Sequence, residues 1–147
     1  MKEIHEINLE KHETRSVSDN HINGSLTVVW RDWDKILKYH PKMVYVSAVE
    51  PGEIKGPHIH TKRNSYFTCI QGKVLFVLKK SDGGYLEIES DEKNPNMVFV
   101  PKNMPSAHLN LSENTSKVLT LADLAWKPND NEMKNSTFTD YNWEKWT

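Results

Sequence analysis

Short apolar runs separated by turn-rich breaks occupy most of this chain, and this pattern constrains its fold more than any other feature. The runs are rich in β-branched and aromatic residues, which favour strands. The breaks contain Gly, Asn and Pro, and 81–84 is the clearest hairpin turn. So many short strands indicate an all-β antiparallel sandwich or jelly roll, with one short helix at 33–39. The predicted strands are 25–31, 43–49, 58–60, 66–70, 73–79, 85–88, 97–100, 107–111 and 117–124.

Length and charge limit the kind of protein. A chain of 147 residues fits one domain, and 19 basic against 20 acidic residues give a net charge of −1. No overall basic field is present to attract nucleic acid or an anionic membrane, so neither is expected as a partner. The chain shows no apolar segment long enough for a signal peptide or a membrane helix, so we expect a cytoplasmic protein. The one cysteine, Cys69, lies in an apolar run and is expected to be a buried, inert thiol.

The stretch His58-Ile59-His60 carries the clearest chemical signal. On a strand the two imidazoles share one face while Ile59 points to the other. Such a pair can hold a metal, move a proton, or stand solvated and idle. A third histidine, His108, follows downstream, and three neutral imidazoles suit Zn, Fe or Ni.

The spacing around this pair resembles the first motif of the cupin superfamily. Gly52, His58, His60 and Gly72 match that motif in register, and His108 after a proline resembles the histidine of the second motif. The resemblance implies a cupin jelly-roll (double-stranded β-helix) barrel that spans residues 1–147 as a single domain. Ser65 stands where cupins place a Glu ligand, so we favour no metal and expect no cofactor. A divalent metal at His58, His60 and His108 is the runner-up.

Further segments resemble the nucleotide-sugar branch of cupins, which includes dTDP-4-dehydrorhamnose 3,5-epimerases and dTDP-sugar 3,4-ketoisomerases. The similar segments are 23–27, 55–58, 100–101 and 125–128, and the resemblance spans about Gly24 to Trp146. By resemblance to the epimerases, His58 is the base and Lys55 replaces a phosphate-binding Arg. The second histidine, His60, matches the ketoisomerases. The Asp that orients the catalytic His in the epimerases is not matched here.

The resemblance and the neighbourhood of the motif supply the candidate site. Imidazole suits removal of a proton next to a ketone because its pKa lies near neutral pH. Lys and Arg near the motif suit a diphosphate, although 62–63 can equally be a solvated loop, and either tyrosine can be a core residue. The candidates are catalytic His58, His60, Tyr45 and Tyr66, and substrate-binding Lys55, Arg63, Lys73, His108, Asn110 and Trp126.

These residues predict an isomerase of deoxysugar and polysaccharide biosynthesis that acts on a nucleotide-linked 4-keto-6-deoxyhexose. The alternatives are a metal-dependent cupin with the three histidines, and a non-catalytic sugar-binding cupin. The polar segment 1–20 is too hydrophilic to form a core alone. We expect it to cross to a partner in a homodimer, as in the cupins that the chain resembles, or to be flexible.

Overall fold

The computed structural model describes residues 4–147, and its regular structure is almost entirely β. Each of the nine predicted strands overlaps an observed one, which confirms the all-β class. A 3-10 helix, Trp143–Trp146, lies near the end of the chain. The strands are β1 Glu6–Asn8, β2 Glu10–Arg15, β3 Ile22–Val28, β4 Met43–Val49, β5 Ile54–His60, β6 Ser65–Gln71, β7 Lys73–Lys79, β8 Tyr85–Asp91, β9 Asn96–Val100, β10 Ser106–Asn110, β11 Ser116–Ala122 and β12 Met133–Asn135.

The strands form two five-stranded sheets and one two-stranded hairpin. One sheet has the order β1-β9-β6-β11-β4 and the other β12-β5-β10-β7-β8, with every neighbouring pair antiparallel. Strands that are adjacent in space are mostly not consecutive in sequence, as in the predicted cupin jelly roll. The hairpin pairs β2 with β3.

The core lies between the two sheets, and both contribute to it. It includes Phe67 and Val118 from the first sheet and Phe76 and Leu78 from the second, all buried. Cys69 belongs to the same cluster at 1% exposure, and burial raises its pKa to about 12, so its predicted burial is confirmed. The outer surface of each sheet carries a second apolar cluster, and in the second sheet the covering residues include Phe138, Tyr141, Trp143 and Trp146 from the C-terminal segment.

The predicted helix at 33–39 is wrong, because this segment forms turns and bends. Its backbone N–H groups bond elsewhere: those of Lys38 and Tyr39 donate to the hydroxyl of Tyr66 at 2.8 and 3.3 Å. Leu37 and Tyr39 pack on the outer surface of the first sheet, while Trp33 is exposed. Tertiary packing therefore overrides the local helical pattern.

The N-terminal segment forms strands where it is described. Strand β1 pairs with β9 of the same chain, and β2 starts the hairpin. The hairpin is exposed along most of its length. Of the segment 1–20, the first three residues lie outside the described part of the chain. Across residues 4–147, no helix has the length and hydropathy needed to cross a membrane.

Candidate active site

The His58/His60 pair lines a cavity of about 170 Å³ between the two sheets, here called the inner cavity. Both histidines lie on β5, and alternation along the strand places them on the same face. Strand β4 adds Tyr45 and Ser47, and β10 adds His108. The remaining lining residues are Lys55, Arg63, Phe67, Ser106 and Met133.

A glycine shapes β5 just before the histidine pair. Gly56 has a φ of +90°, a conformation that side-chain-bearing residues rarely adopt. A Cβ placed there would lie 2.8 Å from the carbonyl oxygen of Ser106. The pairing of β5 with β10 shifts register next to this point, between Ser106 and His108. Close approach of the two backbones therefore fixes how the imidazoles enter the cavity.

The C-terminal segment supplies a carboxylate to His60. Nδ1 of His60 lies 2.8 Å from Oε1 of Glu132, and the two side chains are 12% and 5% exposed. The other carboxylate oxygen of Glu132 accepts the backbone N–H groups of Lys62 and Arg63 at 3.2 and 3.1 Å. Strand β12 starts at the next residue and pairs Met133 with His60, which sets the carboxylate beside the imidazole.

The protonation states of this pair follow from its surroundings. Burial lowers the pKa of His60 below its usual value, and the positive charge of Arg63 also lowers it. The hydrogen bond to Glu132 raises this pKa but does not outweigh the other two effects. Burial also opposes ionisation of Glu132, but the hydrogen bonds from His60 and from two backbone N–H groups outweigh it, so the pKa of Glu132 is lowered. At neutral pH the pair is thus a neutral imidazole beside a carboxylate.

Arg63 contacts the other side of His60. Its Nη2 donates to Nε2 of His60 at 2.9 Å and to the hydroxyl of Tyr45 at 3.2 Å. Because an arginine can only donate, Nε2 is the acceptor, and Nδ1 carries the proton that Glu132 accepts. One guanidinium nitrogen therefore bridges the imidazole and a phenol.

His58 and His108 present unpaired polar atoms. Nδ1 of His58 and Nε2 of His108 are buried without a hydrogen-bond partner in the described chain. The His108 ring packs against Phe67 and Phe76. Burial, with smaller effects from Lys55 and His58, lowers the pKa of His108 to about 4. The unpaired nitrogen atoms of these two imidazoles are available to a polar ligand in the inner cavity.

The three histidines do not fit a metal site in this arrangement. Both ring nitrogens of His60 have hydrogen-bond partners, and the partner of Nε2 is a cationic guanidinium. No group of three or more His, Cys, Asp or Glu side chains within 4–147 is arranged to hold a metal ion. A metal at His58, His60 and His108 would first need Arg63 to leave.

A larger groove of about 550 Å³ adjoins the inner cavity and is here called the outer groove. Both spaces are lined by Tyr45, His60, Arg63 and Met133. Trp126, predicted to bind substrate, lies along the outer groove and is 66% exposed. The inner cavity is smaller than a typical ligand pocket of roughly 300–1,000 Å³, so it suits one part of a ligand that continues into the groove.

Three predicted site residues lie elsewhere. Tyr66 points to the opposite face of β6, where it stacks on Phe99 and its hydroxyl accepts two backbone N–H groups. Lys73 begins β7 at the far end of the barrel and pairs with Glu89 at 3.2 Å. Asn110 is buried at that same end, with its amide bonded to backbone and serine groups. The structure therefore does not support a direct role in the site for these three.

Glu132 is the site residue that the sequence did not reveal. It lies in a polar stretch, 72 positions from the His60 that it contacts. Its neighbours are Asp130, Asn131 and Lys134, so neither apolar periodicity nor a motif distinguishes it. Only the pairing of β12 with β5 brings it to the histidine.

The sequence matches the family model described as WxcM-like, C-terminal (FdtA) over residues 5–143. A search of the curated proteins gives no match.

Solved structures share the fold at low sequence identity. A 3,4-ketoisomerase from Helicobacter canadensis is 20% identical with a TM-score of 0.70, and the match covers 96% of this chain and 92% of that one. A dTDP sugar isomerase from Desulfovibrio desulfuricans is 14% identical with a TM-score of 0.76, over 90% and 82% of the two chains. The capsular polysaccharide assembling protein CapF from Staphylococcus aureus is 19% identical with a TM-score of 0.61 over 66% of this chain. The chain spans 27% of the length of CapF.

Proposed function

Because the chain belongs to the WxcM-like, C-terminal family, we propose that it is a nucleotide-sugar isomerase that moves a proton next to the ketone of a 4-keto-6-deoxyhexose. The observation that carries this proposal is the buried, neutral His60, held by Glu132 in a cavity that also contains Tyr45 and Lys55. The solved structures of a 3,4-ketoisomerase and a dTDP sugar isomerase with the same fold support the reaction class.

We assign the base to His60. A 4-keto group acidifies the hydrogens on C3 and C5, and a neutral imidazole can remove one and return it to the other face or to the neighbouring carbon. The resemblance in sequence suggested His58 as the base. His60 fits better because a carboxylate fixes its Nδ1–H tautomer and leaves the Nε2 lone pair toward the cavity side. His58 has no such partner at its buried Nδ1.

The developing enolate needs a fixed donor or cation, and such a contribution is usually the largest in sites of this kind. Lys55 and His58 line the same inner cavity as His60 and are the candidates for this role. Tyr45 is the candidate for a second proton donor, because its hydroxyl and the base bond to the same guanidinium nitrogen. With Tyr45 as the proton donor, His60 removes the C3 proton, the 3-hydroxyl proton passes to O4, and Tyr45 protonates C4, which gives a 3-keto isomer. The proton on His60 then restores the Tyr45 hydroxyl.

The rest of the nucleotide sugar fits the outer groove. We place the diphosphate at Arg63, where the groove meets the inner cavity, since an arginine fork matches phosphate oxygens well. The nucleotide base then lies against the exposed Trp126 and Met43. The proposed steps use side chains alone, so no cofactor is assigned.

The proposed assembly is a homodimer. Val44 and Val46 on the edge strand β4 are 58% and 53% exposed, and the hairpin carries exposed Ile22 and Leu26. Exposed apolar side chains on an edge strand favour pairing with another chain. We propose that the hairpin of each copy covers β4 of the other copy. This hairpin includes part of the segment 1–20, which is predicted to cross to a partner. Location in the cytoplasm stays a prediction.

The test is incubation with dTDP-4-keto-6-deoxyglucose in deuterated water, followed by proton NMR at C3 and C5. Loss of the C3 signal alone, with a new 3-keto product, is expected for a ketoisomerase. Loss of both signals instead identifies a double epimerase. Tight binding without exchange at either carbon would contradict the proposed reaction and identify a sugar-binding protein.

A further inference from the structure

Arg63 is a buried cation, and no acidic side chain among residues 4–147 pairs with its guanidinium. The residue is 8% exposed, and none of the ion pairs within 4–147 includes it. Glu132 meets the backbone N–H of Arg63, and its other oxygen bonds to His60. Nε of Arg63 is buried with no hydrogen-bond partner in the part of the chain described. Buried charges are normally paired, so this guanidinium has capacity for an anion.

The guanidinium of Arg63 is bonded to two uncharged groups. Nη2 donates to a neutral imidazole nitrogen and to a phenol oxygen. A phosphate oxygen carries a negative charge that attracts the guanidinium and that a neutral imidazole or phenol lacks, and a guanidinium binds phosphate oxygens through two parallel bonds. An anion that reaches Arg63 will therefore compete well with His60 and Tyr45 for its donors.

Arg63 stands where a diphosphate would pass. The inner cavity and the outer groove share four lining residues, and Arg63 is the one Lys or Arg among the described residues that line both. In a nucleotide sugar the diphosphate joins the sugar to the nucleoside. A ligand with its sugar in the inner cavity and its nucleoside in the groove therefore brings the diphosphate to this guanidinium.

From these contacts we propose that Arg63 caps the basic nitrogen of His60 in the free protein and that a diphosphate removes the cap. In the free protein the lone pair of Nε2 accepts a hydrogen bond from Arg63 and is unavailable as a base. When phosphate oxygens take the guanidinium, the lone pair is free while Glu132 still holds Nδ1–H. The base then becomes active only once the nucleotide end of the substrate is seated. This inference rests on the proposed function for its biological meaning, but the cap itself does not depend on it.

The experiment is 15N NMR of the protein labelled at its histidine ring nitrogens, at a pH where His60 is neutral, with inorganic pyrophosphate as the probe. The His60 resonance is identified by its loss in His60→Gln. Without ligand, we expect Nε2 of the wild type to be shifted upfield as a hydrogen-bond acceptor. Arg63→Met should move it downfield, to the position of a free lone pair. Pyrophosphate should move the wild-type signal in the same direction and leave Arg63→Met unchanged.

The matched control is Lys55→Met, which removes the other basic side chain of the inner cavity. It should leave the ligand-free Nε2 resonance of His60 where it is in the wild type. Identical Nε2 positions in wild type and Arg63→Met, or a wild-type signal that saturating pyrophosphate does not move, would overturn the proposal. These outcomes are separate from failure of the proposed function, which shows as absence of deuterium exchange in the sugar.

Discussion

The two ends of the barrel carry polar clusters of opposite character. At one end, His58, His108 and Arg63 have buried nitrogen atoms that find no hydrogen-bond partner within 4–147, around the inner cavity. At the other end, Asn110 and its neighbours form the Asn110 cluster, in which hydrogen bonds link Asn110, Ser112, Asn114 and Ser116.

Strand β10 carries members of both clusters, His108 and Asn110. Strand β10 runs from Ser106 in the inner cavity to Asn110, whose amide donates to the carbonyl oxygens of Val49 and Asn114 and accepts from two serine hydroxyls. A buried polar group with all its bonds made stabilises the fold, whereas one with unmade bonds has capacity for a ligand. Satisfaction of hydrogen bonds, more than residue type, separates the structural end from the functional end.

The largest effect is expected at the base. His60→Gln should lower the rate of deuterium exchange by about 10²–10⁴-fold, because Gln cannot take up the proton. His58→Gln should cost less, since the Gln amide can still donate to the enolate oxygen and Lys55 is a second candidate for that role. The exchange assay on both purified variants, with folding checked by circular dichroism, ranks them. A dead His58→Gln beside an active His60→Gln would return the base to His58.

Glu132→Gln comes next. The amide can donate to Nδ1, which favours the wrong tautomer of His60, so we expect kcat to fall on the order of 10²-fold. The substrate concentration for half-saturation should change less than kcat. Glu132 also lines the outer groove, but its carboxylate oxygens are already bonded to His60 and to two backbone N–H groups. Steady-state kinetics separate the two parameters. Unchanged kcat would show that the carboxylate only anchors β12.

Asn110→Ala tests the structural end. It removes several buried hydrogen bonds and leaves their partners unpaired, which should lower the free energy of unfolding by about 2–4 kcal/mol. Denaturant unfolding measures this loss, and kcat per folded molecule should match the wild type. Ser112→Ala, which removes one member of the cluster, serves as a milder control. Loss of exchange in a stable Asn110→Ala would place that end in the reaction.

The pH dependence of the free energy of unfolding tests the protonation of His108, in the end of the barrel that contains the inner cavity. The pKa of His108 is about 4 in the folded state, below its usual value of about 6.5, so the unfolded chain binds the extra proton first. The contribution of His108 to the free energy of unfolding is therefore fully present above about pH 6.5. It is lost as pH falls toward the folded pKa, by up to about 1.4 kcal/mol per pH unit. Unfolding curves of His108→Gln should show a flatter dependence over that range, and equal slopes would contradict it.

Lys73→Met should have the smallest effect. Its exposed pair with Glu89 contributes about 0–1 kcal/mol to stability, and it lies away from the inner cavity. Half-saturation by the nucleotide sugar should stay at the wild-type value. A clear increase would mean that Lys73, at the far end of the barrel, contacts the nucleotide sugar.

The sequence predicted the fold where apolar side chains determine the structure. Strands such as β4 and β7 were bounded correctly because both are rich in β-branched and aromatic residues, although β7 is buried and β4 is partly exposed. Strands β1, β2 and β12 were missed because they are short or polar and depend on pairing with another strand.

Local pattern predicted the site along the strand that carries the motif and its near neighbours. Tyr45, His108 and Trp126 lie on other segments and were named from the family resemblance; they line the inner cavity or the outer groove. His58 and His60 share a face because of the strand period, and Lys55 and Arg63 follow from their positions nearby. Lys73 was predicted in the site because it is near the histidine motif in sequence. It lies elsewhere, because the turn at Gly72 that precedes it is at the opposite end of the barrel. Glu132 depends on a pairing over 72 positions, which no local pattern encodes.

The short strand β12 also ties the proposed base to one edge of the molecule. It has three residues at the border of its sheet, and the carboxylate that orients His60 immediately precedes it. Edge segments open at lower free energy than the sheets they border. Heat should therefore disconnect the carboxylate from its imidazole while the barrel is still folded. We therefore expect the upper temperature limit of turnover to lie below the melting temperature of the protein, because it is set by the detachment of a three-residue strand.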